Sequence, residues 1–127
     1  MFGWKQFLLV LVGGGIGSLA RYVLTTLIAD KYGAHFPFGT LFVNVVGCFI
    51  IGFFMIWTTE RTIVSPNLRI LVTVGFLGGL TTFSSFGFET IQLLRAGNVV
   101  NAFLNMAANL GTGFLAVWLG IIAAKWI

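Results

Sequence analysis

Residues 70–88 read ILVTVGFLGGLTTFSSFGF, nineteen positions without an acid or a base between Arg69 and Glu89. A helix crosses the hydrocarbon core of a bilayer with about 20 mostly apolar residues, so this run is long enough to span. Two more runs share the property, for no Asp, Glu, Lys or Arg lies between Lys31 and Glu60 or between Arg95 and Lys125. The opening stretch, Phe7 to Ile28, is apolar apart from Arg21. The pattern predicts one domain over 1–127, an all-α membrane protein with four transmembrane helices near 7–28, 38–57, 68–94 and 102–126. The runs are continuous and do not alternate with period two, which disfavours a β-barrel.

Composition agrees. Of 127 residues, 58% are hydrophobic and 8% charged, with a mean hydropathy of +1.03. A soluble domain carries about 25% charged residues, and a disordered chain needs low hydrophobicity. The single cysteine, Cys48, excludes an internal disulfide framework and a multi-cysteine metal cluster. Trp4, Trp57 and Trp126 fall at span ends, where amphipathic rings favour the headgroup region. Lys5 precedes an apolar stretch, but Gly13, Gly14 and Gly15 soon interrupt it and no small-residue cleavage site follows, so it reads as a span rather than a cleaved leader.

The charges do not fix an orientation. Lys5, Arg61, Arg69 and Lys125 share one side, while Lys31, Arg95 and Arg21 lie on or toward the other. Four against three is a weak bias for the positive-inside rule. Such a chain either inserts both ways, permitting an antiparallel homodimer, or holds one orientation by a small margin.

Polar groups inside the spans need a partner or a purpose. In the third span Gly78-Gly79-Leu80-Thr81-Thr82 is a poor continuous helix, since glycine costs about 1 kcal/mol relative to alanine. It reads either as a break exposing backbone amides and carbonyls or as a small-residue packing seam. On the second span Thr40 and Asn44 share a face, being four residues apart. On the fourth, Asn101, Asn105, Asn109 and Thr112 form one polar stripe, longer than a single packing contact requires. Amides and hydroxyls donate hydrogen bonds, while cation pores commonly use acidic rings. No acid sits at the centre of a span, and Glu89 is near one end. A donor-lined path of this kind suits a small anion. Arg21 either snorkels to the interface or serves that path. Phe83 and Phe86, three apart beside the Thr/Ser segment, are packing residues or present their positive ring edges to an anion.

Three segments carry a family resemblance: GGGIGSLARY at 13–22, GTLFVNVVGCF at 39–49 and GFLGGLTTFSSF at 75–86. In order on four spans, they resemble the Fluc family of bacterial fluoride channels, also called CrcB. The resemblance implies a dual-topology, antiparallel homodimer with two fluoride pores, passive export of fluoride and fluoride resistance. It implies residence as a multi-pass protein of the bacterial inner (plasma) membrane, with no organic cofactor and no nucleic-acid partner. It assigns Phe83 and Phe86 as pore rings, Asn44 as a donor to the ion and Arg21 as the vestibule arginine. Thr40, Thr82 and Ser84 would lie along the path. A structural Na+ on the twofold axis would be held by the backbone carbonyls of Gly78 and Thr81. On the fourth span the family commonly has a tyrosine and serines where this chain has asparagines and Thr112, with Asn105 replacing the tyrosine and Asn109 and Thr112 the further pore candidates. Two other readings stand beside it. A proton-coupled drug antiporter needs a carboxylate deep in the bundle, and a non-transporting assembly protein leaves the asparagine stripe unexplained. No ATP-binding loop is present, and nothing points to an enzyme.

Overall fold

The computed structural model describes residues 2–127. Four helices are long and apolar enough to cross a membrane: α1 (Trp4–Tyr32), α2 (Phe38–Arg61), α3 (Pro66–Arg95) and α4 (Val99–Trp126). No strand occurs among the described residues.

Each helix runs past its apolar stretch, because end signals rather than hydropathy set where it stops. Beyond Tyr32, Gly33 takes φ 83, and its N–H bonds the Ala29 carbonyl at 2.8 Å. At the start of α3 the Ser65 hydroxyl accepts from the Leu68 N–H at 3.2 Å, and Pro66 occupies the first turn, where a missing N–H costs nothing. Gly97, also at φ 83, ends α3, and the Asn98 N–H returns to the Leu93 carbonyl at 2.8 Å. The connector read from charge at 95–101 therefore shrinks to 96–98.

The helices pack in two pairs, α1 against the first half of α3 and α2 against α4. Lipid gives helices no hydrophobic reason to associate, so close backbone approach must supply the attraction. A Cβ on Gly17 would overlap the Phe76 carbonyl, and one on Gly120 the Phe49 carbonyl. The buried apolar cluster is correspondingly small, centred on Val43, Leu77 and Leu80. Large side chains point outward instead: Phe114 is 73% exposed, Leu19 63% and Trp118 60%. Water would not tolerate such a surface, and hydrocarbon covers it. The chain is an all-α, multi-pass membrane protein.

Within α3 the helical backbone lapses after Leu80. Thr81 is extended, at φ −90 and ψ 158, and the helix resumes at Ser84. Wider turns, with each N–H reaching five residues back, occur at Ile70–Leu77 in α3 and at Ala108–Thr112 in α4. Such turns re-aim the side chains that follow them.

Candidate functional site: a groove at the interruption of α3

Three non-helical residues at membrane depth leave backbone groups that must bond elsewhere. Asn44 on α2 takes up both backbone groups of one residue: its Oδ1 accepts from the Thr82 N–H at 2.9 Å, and its Nδ2 donates to the Thr82 carbonyl at 3.0 Å. The second Nδ2 proton goes to Asn109 Oδ1 on α4, also at 3.0 Å. Thr82 Oγ1 accepts from the Ser85 N–H at 3.1 Å and lies 3.3 Å from Ser84 Oγ. Every polar atom of the Asn44 amide is thus engaged by protein.

These diversions free two carbonyls. In an unbroken helix the Thr82 N–H would bond Gly78 and the Ser85 N–H would bond Thr81. Both amides bond side chains instead, so Gly78 and Thr81 do not receive those bonds. They are the two carbonyls that the resemblance assigns to sodium, and hard oxygen donors of this kind suit a hard cation.

The interruption opens into a groove of about 330 Å³. Asn44, Gly78, Thr81, Thr82, Phe83, Phe86 and Asn109 line it together with Leu77, Leu110 and Cys48, and none of its lining residues is charged. The rings of Phe83 and Phe86 stand edge to face, 5.5 Å between centroids and 66° apart in plane. Their environments differ, since Phe86 is 7% exposed and Phe83 78%. Ser84 lies outside this groove, in an adjoining hollow with Ser85, Phe88 and Glu89.

Arg21 reaches across from α1 and donates from Nε to the Gly79 carbonyl at 2.9 Å, so it is anchored at the interruption. Thr40 is buried and donates to Glu89 Oε2 at 3.1 Å. The stripe on α4 divides. Asn105 and Asn109 are buried and bonded to each other, with Asn109 Nδ2 donating to Asn105 Oδ1 at 3.0 Å. Thr112 is exposed, returns its hydroxyl to the Ala108 carbonyl, and borders an apolar hollow with Leu41 and Val45. The wide turn at 108–112 explains the separation: with more residues per revolution, three residues fall further short of a full turn. Asn101 stays half-buried at the other end of the stripe.

Two residues escaped the sequence reading. Glu89, set aside there as peripheral, has one oxygen on Thr40 and the other, Oε1, buried without a bonding partner among the described residues. It borders both the hollow with Ser84 and a cavity of about 370 Å³ that includes His35, Gln92 and Asn98. Its distance from mid-span concealed it, and its register with Thr40 is a tertiary fact. Thr90, buried at 5% exposure, accepts from Asn105 Nδ2 at 2.9 Å; a lone threonine near a helix end carries no sequence signal.

Comparison with known proteins identifies a family. The family described as CrcB-like protein, Camphor Resistance (CrcB), matches residues 8–121. Among similar curated proteins, the Fluoride-specific ion channel FluC of Solibacter usitatus (strain Ellin6076) is 48% identical over 120 residues, covering 94% of this chain and 98% of the relative. The protein of the same name from Geotalea uraniireducens (strain Rf4) is 46% identical over 121 residues, and that from Geobacter sp. (strain M21) 40% over 121, each covering 95% of this chain and 98% of the relative. With the matched region spanning all four helices and the groove between them, the chain belongs to the CrcB family.

Proposed function

We propose that this protein is a fluoride-selective passive channel that lets cytoplasmic fluoride leave down its electrochemical gradient and so confers fluoride resistance. One observation carries the reading: an uncharged groove at membrane depth brings amides, hydroxyls and two phenyl edges together at a broken helix. Fluoride holds its water strongly, so a selective path must replace that shell with compact donors, each weak enough for release. Asn44 and the Thr82 hydroxyl supply donors in the groove, with the Ser84 hydroxyl in the adjoining hollow and Asn109 lining the wall while its own Nδ2 rests on Asn105. The positive edges of Phe83 and Phe86 add attraction without a fixed charge. Chloride is larger and gains less from such donors. Cations find no acid in the groove. Arg21 and Thr40 flank the route, Arg21 at the interruption and Thr40 beside Glu89.

The working unit is an antiparallel homodimer in the bacterial inner membrane, with two pores. The weak Lys/Arg asymmetry supports dual insertion. The exposed Phe83 ring and the open side of the groove support a second copy completing each path. A structural Na+ at the twofold axis fits the freed carbonyls of Gly78 and Thr81, contributed once by each subunit; when bound it supplies positive charge that ties the two interruptions together.

Fluoride-electrode recording on proteoliposomes of the purified protein, with chloride as control, tests the function. Rapid fluoride release with chloride retained is expected. Vesicles no leakier to fluoride than protein-free ones overturn it.

A further inference from the structure

Four polar side chains between α2, α3 and α4 form a chain of hydrogen bonds with a single direction. Asn44 Nδ2 donates to Asn109 Oδ1, Asn109 Nδ2 to Asn105 Oδ1, Asn105 Nδ2 to Thr90 Oγ1, and the Thr90 hydroxyl to the Phe86 carbonyl, at 3.0, 3.0, 2.9 and 2.8 Å. The chain starts at the backbone of Thr82, which Asn44 clamps, and ends on the backbone of the residue carrying the buried ring.

Its sense is imposed at both ends. The Thr82 N–H can only donate, so it turns the Asn44 oxygen toward itself and leaves Nδ2 facing α4. The Phe86 carbonyl can only accept, so the Thr90 hydroxyl proton is spent there and its oxygen is left to receive Asn105. Flipping any one amide would set donor against donor on one side and acceptor against acceptor on the other. Asn105 is 1% exposed, Thr90 5% and Asn109 9%, so water offers little substitute. In a medium of low dielectric such bonds also polarise one another.

We propose that Thr90 and Asn105 are positioning residues for the channel: through Asn109 they orient the Asn44 amide that meets the ion. This rests on the fluoride-channel reading above. Neither residue lines the groove with Phe83 and Asn44; they act through the amide chain. To meet the ion, Asn44 releases the proton it gives to Asn109. How readily it does so depends on what holds Asn109, whose Nδ2 donates both to the Asn105 backbone carbonyl and to Asn105 Oδ1, each at 3.0 Å; the second of these bonds stands only in the orientation that Thr90 gives the Asn105 amide.

Thr90→Val keeps the volume and removes the acceptor; Thr90→Ser keeps the hydroxyl. Fluoride efflux from proteoliposomes is compared for wild type and both variants, together with the side-chain amide signals of ¹⁵N-asparagine-labelled protein in nanodiscs. Thr90→Val is expected to slow efflux about tenfold, with Thr90→Ser within about twofold of wild type. The amide signals of Asn105, Asn109 and Asn44 should all move in Thr90→Val, while those of Asn67 and Asn98 stay. Unchanged efflux in Thr90→Val overturns the proposal. So does a shift confined to Asn105, because a merely local packing role would produce it. If Thr90→Val does not yield folded protein, Thr90→Ala replaces it and is judged by the same criteria. A wild-type protein that releases no fluoride sinks the channel reading, while the amide signals still decide whether the chain transmits orientation.

Discussion

Asn44 and Thr82 form a two-bond pair, side-chain amide against backbone, with Oδ1 accepting at 2.9 Å and Nδ2 donating at 3.0 Å. The pair imitates a rung of a β-ladder and lets α3 stop and restart inside a membrane with both backbone groups of Thr82 bonded. It gives Asn44 a structural role beside the proposed one as donor to the ion.

Asn44→Asp replaces two donors with an acceptor facing the Thr82 carbonyl and Asn109 Oδ1. Repulsion at both contacts, and of any anion in the groove, should cut fluoride efflux more than about tenfold. Efflux from proteoliposomes checks it, and unchanged rates would refute the assignment.

The two rings should separate throughput from stability. Phe83→Ile and Phe86→Ile both remove a positive ring edge and should both slow fluoride release. Only Phe86 is buried, so Phe86→Ile alone should also lower thermal stability in detergent, by about 1–2 kcal/mol. Full flux in both variants would remove the rings from the path.

Arg21 is distinguished from a simple anion attractor by its bond to Gly79. Arg21→Met strands a carbonyl at the interruption and should cost about 1.5–3 kcal/mol of stability, measured by thermal unfolding in detergent. A variant as stable as wild type, but slower only at low fluoride, would show that charge alone matters.

Glycines at the helix seams should be intolerant where backbones touch and tolerant elsewhere. Gly79→Ala places a Cβ against the Gly14 carbonyl and the Ser18 N–H, whereas Gly15→Ala enters open space. The first should lose about 1–3 kcal/mol; the second should be neutral or gain up to about 1 kcal/mol from helix propensity. Unfolding of the two variants side by side reads the difference directly.

Replacing Na+ with a bulky organic cation throughout purification should weaken the assembled state if the Gly78 and Thr81 carbonyls hold sodium. Size-exclusion profiles in the two media test this, and identical profiles would remove the ion from the account.

The legible parts of this protein were those that depend on its solvent. Spans, helix class and membrane residence followed from runs such as 70–88, because hydrocarbon excludes charge and requires backbone bonds to close within a helix. Asn44, Phe83, Phe86 and Asn109 were visible because polar or paired aromatic residues are conspicuous in apolar surroundings, and all four line one groove. Thr112 matched the same stripe but left it, since helical spacing assumes a uniform turn and the turn at Ala108–Thr112 is wider.

What only the tertiary structure decided is where each hydrogen bond goes. Sequence identifies Asn44 as a donor, but not that Thr82 and Asn109 already hold its protons. It places Glu89 near a span end, but not against Thr40. Hydropathy is a sum over one segment and is written in order along the chain. Bond partners such as Asn105 and Thr90 belong to different helices, and their pairing is set by which helix faces meet.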